Sequence, residues 1–230
     1  MGFNEKVHAY IAAKFYVYLT EKFEERGKKA FTHATQYYAE QRGRRMAQRA
    51  IRDGRELDYR TYCEYGEWVN TQEIIDEGCN NQSKILSVNP DYEIFITRCP
   101  WHTQFKEMGL VEGGHTYCED LDSSICRGFN PHLTYLVYNT LHKSDHCKHV
   151  IKDTFWEEGE KHPKRPEGLF SFEFHCAHSY WAYTEVVEAI FKADGREIAA
   201  KVLADFTADY GQEMADTLMK YKYTNFNVCD

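Results

Sequence analysis

No run of apolar residues in this chain approaches the roughly 20 needed to cross a membrane, and its N-terminus lacks the apolar core of a signal peptide. N-myristoylation is also unsupported, because Lys6 stands where Ser or Thr is required. Basic charge is not concentrated either. Lys and Arg are scattered and the formal net charge is −8, which argues against a nucleic-acid partner. The one dense basic run, Arg42-Gly43-Arg44-Arg45, falls in a helical pattern and reads as a solvated face. Without an export signal, the eight cysteines are expected as free thiols in a reducing cytoplasm.

What is present is concentrated in one stretch. Between Cys99 and His149 stand four cysteines (Cys99, Cys118, Cys126, Cys147) and six histidines (His102, His115, His132, His142, His146, His149). Thiols, imidazoles and carboxylates at that density suit a reactive or metal-binding site. Aromatics make up 15% of the chain, mostly Tyr, which favours an apolar pocket that can still hydrogen-bond.

The flanks read as helical scaffold. Apolar residues recur at helical spacing over 5–25, 28–52 and 58–77, each run stopping at a glycine. Alternation with β-branched and aromatic residues predicts strands at 92–99, 133–139, 147–152 and 169–175. Short helices are expected over 101–110 and 116–127, and the helical pattern returns over 178–193 and 196–220. The predicted fold is α+β, a single domain over 1–230. It has a helical segment at 1–78, a small antiparallel sheet of about four strands with the Cys/His/Asp-rich site at 90–176, and a C-terminal helix hairpin at 178–220. The helical ends read as a duplicated hairpin: Gly27 to Gly43 and Gly195 to Gly211 are both sixteen residues apart, and Phe23 aligns with Phe191.

Within the central stretch, Cys99 and His102 are three residues apart at a strand end, and Cys118 and Asp122 share a helix face. Asn130 can present an uncharged amide from a turn. Asp145, Cys147 and His149 alternate along a strand and are expected to project together. Cys63, Cys79, Cys126 and Cys176 read as core residues and Cys229 as a frayed terminus.

The run Cys99-Pro100, Tyr117-Cys118 with Asp122, Gly128-Phe129-Asn130-Pro131 and Asp145 to Cys147 resembles the L-2-amino-thiazoline-4-carboxylic acid hydrolase family. The later Phe172, Phe174, His175, His178 stretch is similar in style, so the resemblance spans roughly 90–215. It implies a hydrolase that opens a cyclic amidine C–N bond, as in 2-aminothiazoline-4-carboxylate giving a carbamoyl-cysteine. Candidate catalytic residues are Cys118, His102, Asp122 and Cys99; candidate substrate-binding residues are Asn130, His175, His178 and Cys147. Either Cys118 attacks, with His102 or His175 as its base, or His102 or Asp122 activates water. No cofactor or metal is called for, the partner is a small molecule, and a homo-oligomer is left open. Two alternatives stand beside this reading: a zinc-binding module using Cys99, His102, Cys118 and Cys147, and a ligand sensor without catalysis.

Overall fold

The computed structural model describes residues 2–229. Its first helix, α1 (Glu5–Arg52), begins where the Asn4 side chain accepts from the backbone N–H groups of Lys6 and Val7. It is not one rod. Glu24 has φ 49° and ψ −127°, and the chain doubles back there. His8 then meets Tyr38 and Tyr16 meets Phe31, ring centroids 5.3 and 5.2 Å apart, which is an antiparallel hairpin. A matching hairpin closes the chain: α6 (Phe172–Phe191) and α7 (Ala193–Tyr210), followed by α8 (Gln212–Lys220). The two hairpins pack on each other through fully buried aromatics, including Phe15, Phe31, Tyr183 and Phe206, and these form the main core.

The predicted helix over 58–77 is interrupted. It splits into α2 (Tyr59–Glu64) and α3 (Gln72–Asp76), with an irregular stretch at 65–71 between them. Gly66 breaks the helix, and the buried Glu67 that follows finds its partners on α1 instead. Next come β1 (Gln82–Ser87), β2 (Tyr92–Arg98), α4 (Pro100–Glu107), α5 (Val111–Phe129), β3 (Tyr135–Asn139) and β4 (Cys147–Ile151). Among the described residues there are eight helices and one four-stranded antiparallel sheet, ordered β1-β2-β4-β3, so the fold is α+β as expected.

One predicted strand is wrong. Residues 169–175 alternate, yet helix α6 starts at Phe172, because the Ser171 side chain caps it by accepting from the Phe174 N–H. Phe170 and Phe174, four apart, stack at 4.3 Å across that first turn. The fourth strand is instead β1, an almost fully exposed edge strand in which burial imposes no alternation.

Two glycines set how close the site-bearing helices come. A side chain at Gly43 of α1 would put its Cβ 2.0 Å from the Ile125 carbonyl oxygen, and one at Gly128 of α5 would put it 2.4 Å from that of Glu40. Backbones therefore touch at this crossing, and Arg42 is carried against the inner face of α5.

Candidate active site

The inner face of α5 is Tyr117, Cys118, Leu121, Asp122 and Ile125, the helical spacing of one stripe. Opposite it, the cross-strand pairs Ile94 with His149 and Ile96 with Cys147 form a sheet floor. Arg42 and Met46 of α1, the 66–68 loop and Lys164 complete the wall, with Tyr62, Trp68, Trp101 and Tyr135 between them. The cavity enclosed is about 390 Å³.

Four thiols reach this cavity, those of Cys63, Cys99, Cys118 and Cys147, so Cys63 is not the core residue expected of it. Burial pushes Cys118 well above its usual range, and the neighbouring Cys99, Cys147 and Asp122 push the same way. Burial raises Cys99 to about 12 against the pull of the His102 and Trp101 N–H groups that open α4. Cys147 is raised by burial to about 11, and its Sγ accepts from the Leu141 N–H at 3.1 Å. All eight cysteines are free.

Of the four, Cys118 has an imidazole in reach: its Sγ lies 3.7 Å from His142 Nε2. Burial first, then His102, His115 and Lys143, lower His142 to about 4, so its ring is neutral near pH 7. His102 does not reach the thiol. Its ring stands edge-on against His142, centroids 4.8 Å apart. His142 Nδ1 is buried without a partner, so no carboxylate orients this ring. Asp122 accepts no hydrogen bond from any described residue, although it lines the cavity.

The remaining candidates lie elsewhere. Asn130 ends α5, its Nδ2 donating to the Leu57 carbonyl and its Oδ1 accepting from the His132 N–H. The Gly128-Phe129-Asn130-Pro131 motif is thus a helix crossing and a helix stop. His175 Nε2 meets the Glu67 carbonyl at 3.1 Å, and His178 Nε2 meets Gln41 Oε1 at 2.8 Å. Both are fully buried, neutral and outside the cavity. Asp145 falls in the turn before β4 and pairs with its neighbour His146, so only Cys147 and His149 of the expected trio face the cavity. His149 is tied to the Tyr135 hydroxyl at 2.8 Å. Of the four residues of the zinc alternative, Cys99, Cys118 and Cys147 line the cavity and His102 does not, and no group of three or more His, Cys, Asp or Glu among the described residues is arranged to hold a metal ion.

The basic run expected on a solvated face is mostly buried. Glu67, 0% exposed, accepts from Arg45 Nη2 at 2.6 Å and Arg49 Nη1 at 3.1 Å, and Arg42 Nε lies 3.7 Å from it. Burial alone would raise the Glu67 carboxyl; the Arg45, Arg42 and Arg49 charges overcome it and hold it below the usual range. The signal that could have found this cluster is the spacing 42, 45, 49, which marks one helix face. Lys164 donates to the Trp68 carbonyl and sits over the Trp68 ring, 4.5 Å from its centroid. Burial, then Arg42, lowers it to about 8.

No helix among the described residues is long and apolar enough to cross a membrane. No curated protein and no solved structure matches the chain. The sequence model of one protein family, described as L-2-amino-thiazoline-4-carboxylic acid hydrolase, matches residues 4–150. That range takes in Arg42, Glu67, the four thiols, Asp122 and His142, and it begins far upstream of the motif run. It leaves out the Phe172 to His178 stretch, whose histidines belong to the buried scaffold. The chain belongs to the L-2-amino-thiazoline-4-carboxylic acid hydrolase family.

Proposed function

We propose that this protein opens a small cyclic amidine ring of the 2-aminothiazoline-4-carboxylate type, with Cys118 as the nucleophile and His142 as its base. The observation that carries this reading is a thiol 3.7 Å from a neutral imidazole, on the wall of a cavity that also holds an unpartnered carboxylate, Asp122. At rest both partners are uncharged, because burial penalises thiolate and imidazolium alike. A bound amidinium changes that balance. Its positive charge favours the thiolate, and Asp122 is the counter-ion that holds it in place.

The thiol proton passes to His142 Nε2 as sulfur bonds to the amidine carbon. The ring C–N bond then breaks, and His142 returns the proton to the departing nitrogen. Water adds to the same carbon, passing a proton to His142. That proton goes back to Cys118 as it leaves as a thiol, and the hydroxyl proton is released, giving a carbamoyl-cysteine. Aromatic and aliphatic walls keep the site apolar, so these charges act at full strength.

Asp122 also supports a second route. A carboxylate without a hydrogen-bond partner can take a proton from water and direct it at the ring carbon, with no covalent intermediate. Intact-protein mass spectrometry during turnover of 2-aminothiazoline-4-carboxylate separates the two. An adduct on the Cys118 peptide, absent in Cys118→Ser together with the turnover, is the expected result. Turnover at the native rate in Cys118→Ser sinks the thiol route, and Asp122→Asn should then abolish what remains.

A further inference from the structure

One wall of the cavity carries more positive charge than its surroundings balance. Arg42, Arg45 and Arg49 gather around the single carboxylate of Glu67, and Lys164 lies beside Arg42. The hydrogen bonds of Glu67 go to others: it accepts from Arg45 Nε and Nη2 and from Arg49 Nη1. Arg45 also donates to the Phe226 carbonyl and Arg49 to that of Tyr65, so both point into protein. Arg42 does not. It makes no hydrogen bond to any described residue, its Nε is buried without a partner, and it is only 6% exposed, yet it lines the cavity. Its charge lies 3.7 Å from Glu67, but its donors stay unused, and a buried guanidinium with unused donors favours an anion that can accept from them. Lys164, beside it, spends one of three donors on the Trp68 carbonyl. The histidines packed behind, His8, His175 and His178, are held neutral and supply no counter-charge.

We propose that Arg42, with Lys164 beside it, is the acid-binding end of the cavity and makes the protein select ring acids over neutral rings. The ligand class is a small ring bearing a carboxylate, which takes the fork of Arg42 while its opposite edge lies toward Cys118 and Asp122. Identifying that acid with the thiazoline carboxylate rests on the function proposed above; the anion subsite itself does not. Arg42→Met removes the fork and also a charge that Glu67 leaves unpaired by hydrogen bonds. Stability should therefore hold or rise while acid binding is lost, a combination that a purely structural arginine would not produce.

The test is calorimetric titration of the full chain with three probes: 2-aminothiazoline-4-carboxylate, 2-aminothiazoline without the acid, and cyclopentanecarboxylate, a ring acid without an amidine. Wild type should bind the first about 10- to 100-fold more tightly than the second, the worth of one or two charge-assisted hydrogen bonds. Arg42→Met should erase that preference and weaken cyclopentanecarboxylate by the same factor, with Lys164→Met producing a smaller loss in the same direction. Arg42→Lys, which keeps the charge but not the fork, should fall between. Equal binding of cyclopentanecarboxylate by wild type and Arg42→Met, or no binding by wild type, overturns the subsite. Arg42-dependent binding of both acids without turnover leaves the subsite standing and overturns the ring-hydrolase reading instead.

Discussion

Replacing Gly114 with alanine should separate stability from activity. Gly114 stands one helical turn before Cys118 on α5, and the His142 ring lies directly over it. A Cβ at this position would sit 2.2 Å from His142 Cε1 and 2.6 Å from Nε2. Ordinary contact begins near 3.4 Å, so the ring must retreat by about 1.2 Å. It has to move away from α5, because His102 and Phe105 pin its other sides at ring-centroid distances of 4.8 and 5.9 Å. Since Gly114 and Cys118 share that helix, retreat from one is retreat from the other. The Sγ to Nε2 distance, already 3.7 Å, then leaves hydrogen-bonding range.

A misplacement of about 1 Å in a proton-transfer pair costs on the order of 10²-fold in rate. Helix propensity works the other way, with alanine about 1 kcal/mol better than glycine in a helix interior. Overpacking costs about 1–3 kcal/mol, so the variant should end between neutral and about 2 kcal/mol less stable and stay folded. Steady-state turnover of 2-aminothiazoline-4-carboxylate, with urea denaturation alongside, reads both quantities. His142→Ala supplies the decisive comparison: on that background Gly114→Ala should cost nothing further in rate, because the ring it displaces is gone. Unchanged turnover in Gly114→Ala refutes the reasoning, as does an undiminished loss on the His142→Ala background.

Cys118→Ser should lose on the order of 10²-fold or more in turnover, whereas Cys126→Ser, fully buried and outside the cavity, should keep it; a reversed order in steady-state assays counts against the assignment. The acid limb of kcat/KM should fall near pH 4, where His142 takes its proton, and not near the 6.5 of a free imidazole; rates measured across the range where circular dichroism shows the fold intact decide it. Glu67→Gln leaves Arg45 and Arg49 without the carboxylate they donate to and should cost about 3–5 kcal/mol in urea denaturation. The same carboxyl is held below its ordinary 4.5 in the folded state, so its stabilisation is complete above that value and lost as pH falls through the depressed one. The wild-type urea midpoint should therefore drop on acidification below about pH 4.5, and less steeply in Glu67→Gln.

The elements legible in the sequence were those whose periodicity burial enforces. Helices α5 and α6 and strands β2 and β4 carry side chains that face a core or the cavity, and their spacing records it. Strand β1 is exposed along nearly its whole length and had no pattern to read. At 169–175 the aromatic alternation was genuine but served a helix start, where a single capping hydroxyl on Ser171 outweighs it. Three of the four thiols and Asp122 were legible because each stands in a stretch dense in His and Asp; Cys63, outside that stretch, read as core. Arg42 and His142 were not. Arginine beside arginine is ordinarily solvated, and only the fold, through the backbone contact at Gly43 and Gly128, drives Arg42 inward. His142 comes from a polar turn, where nothing local marks which imidazole will lean on a cysteine 24 residues back in the chain rather than into water.

The hairpin repeat explains why the site sits where it does. Glu24 and Lys192, 168 residues apart, both reverse the chain with the same uncommon backbone, φ 49° and ψ −127° against φ 57° and ψ −115°. At that same offset Phe23 stacks on Phe191, centroids 3.9 Å apart and planes within 5°, and Phe15 stacks on Tyr183 at 5.2 Å. Equivalent residues that touch one another lie on a two-fold axis, and reciprocal pairs flank it: His178 meets Tyr38 as Tyr10 meets Phe206. The chemistry breaks this symmetry. Arg42, Arg45 and Arg49 have Tyr210, Glu213 and Thr217 as counterparts, so only the first hairpin carries the cationic face. Gly43 admits the backbone of α5, while its counterpart Gly211, at φ 90°, separates α7 from α8. Everything else in the cavity comes from the segment between the hairpins, which supplies the thiols, Asp122 and the sheet floor. A cavity at the seam between a rigid repeated scaffold and an inserted segment holds its cationic end on fixed helices, and leaves the reactive end to elements that the scaffold does not have to conserve for its own packing.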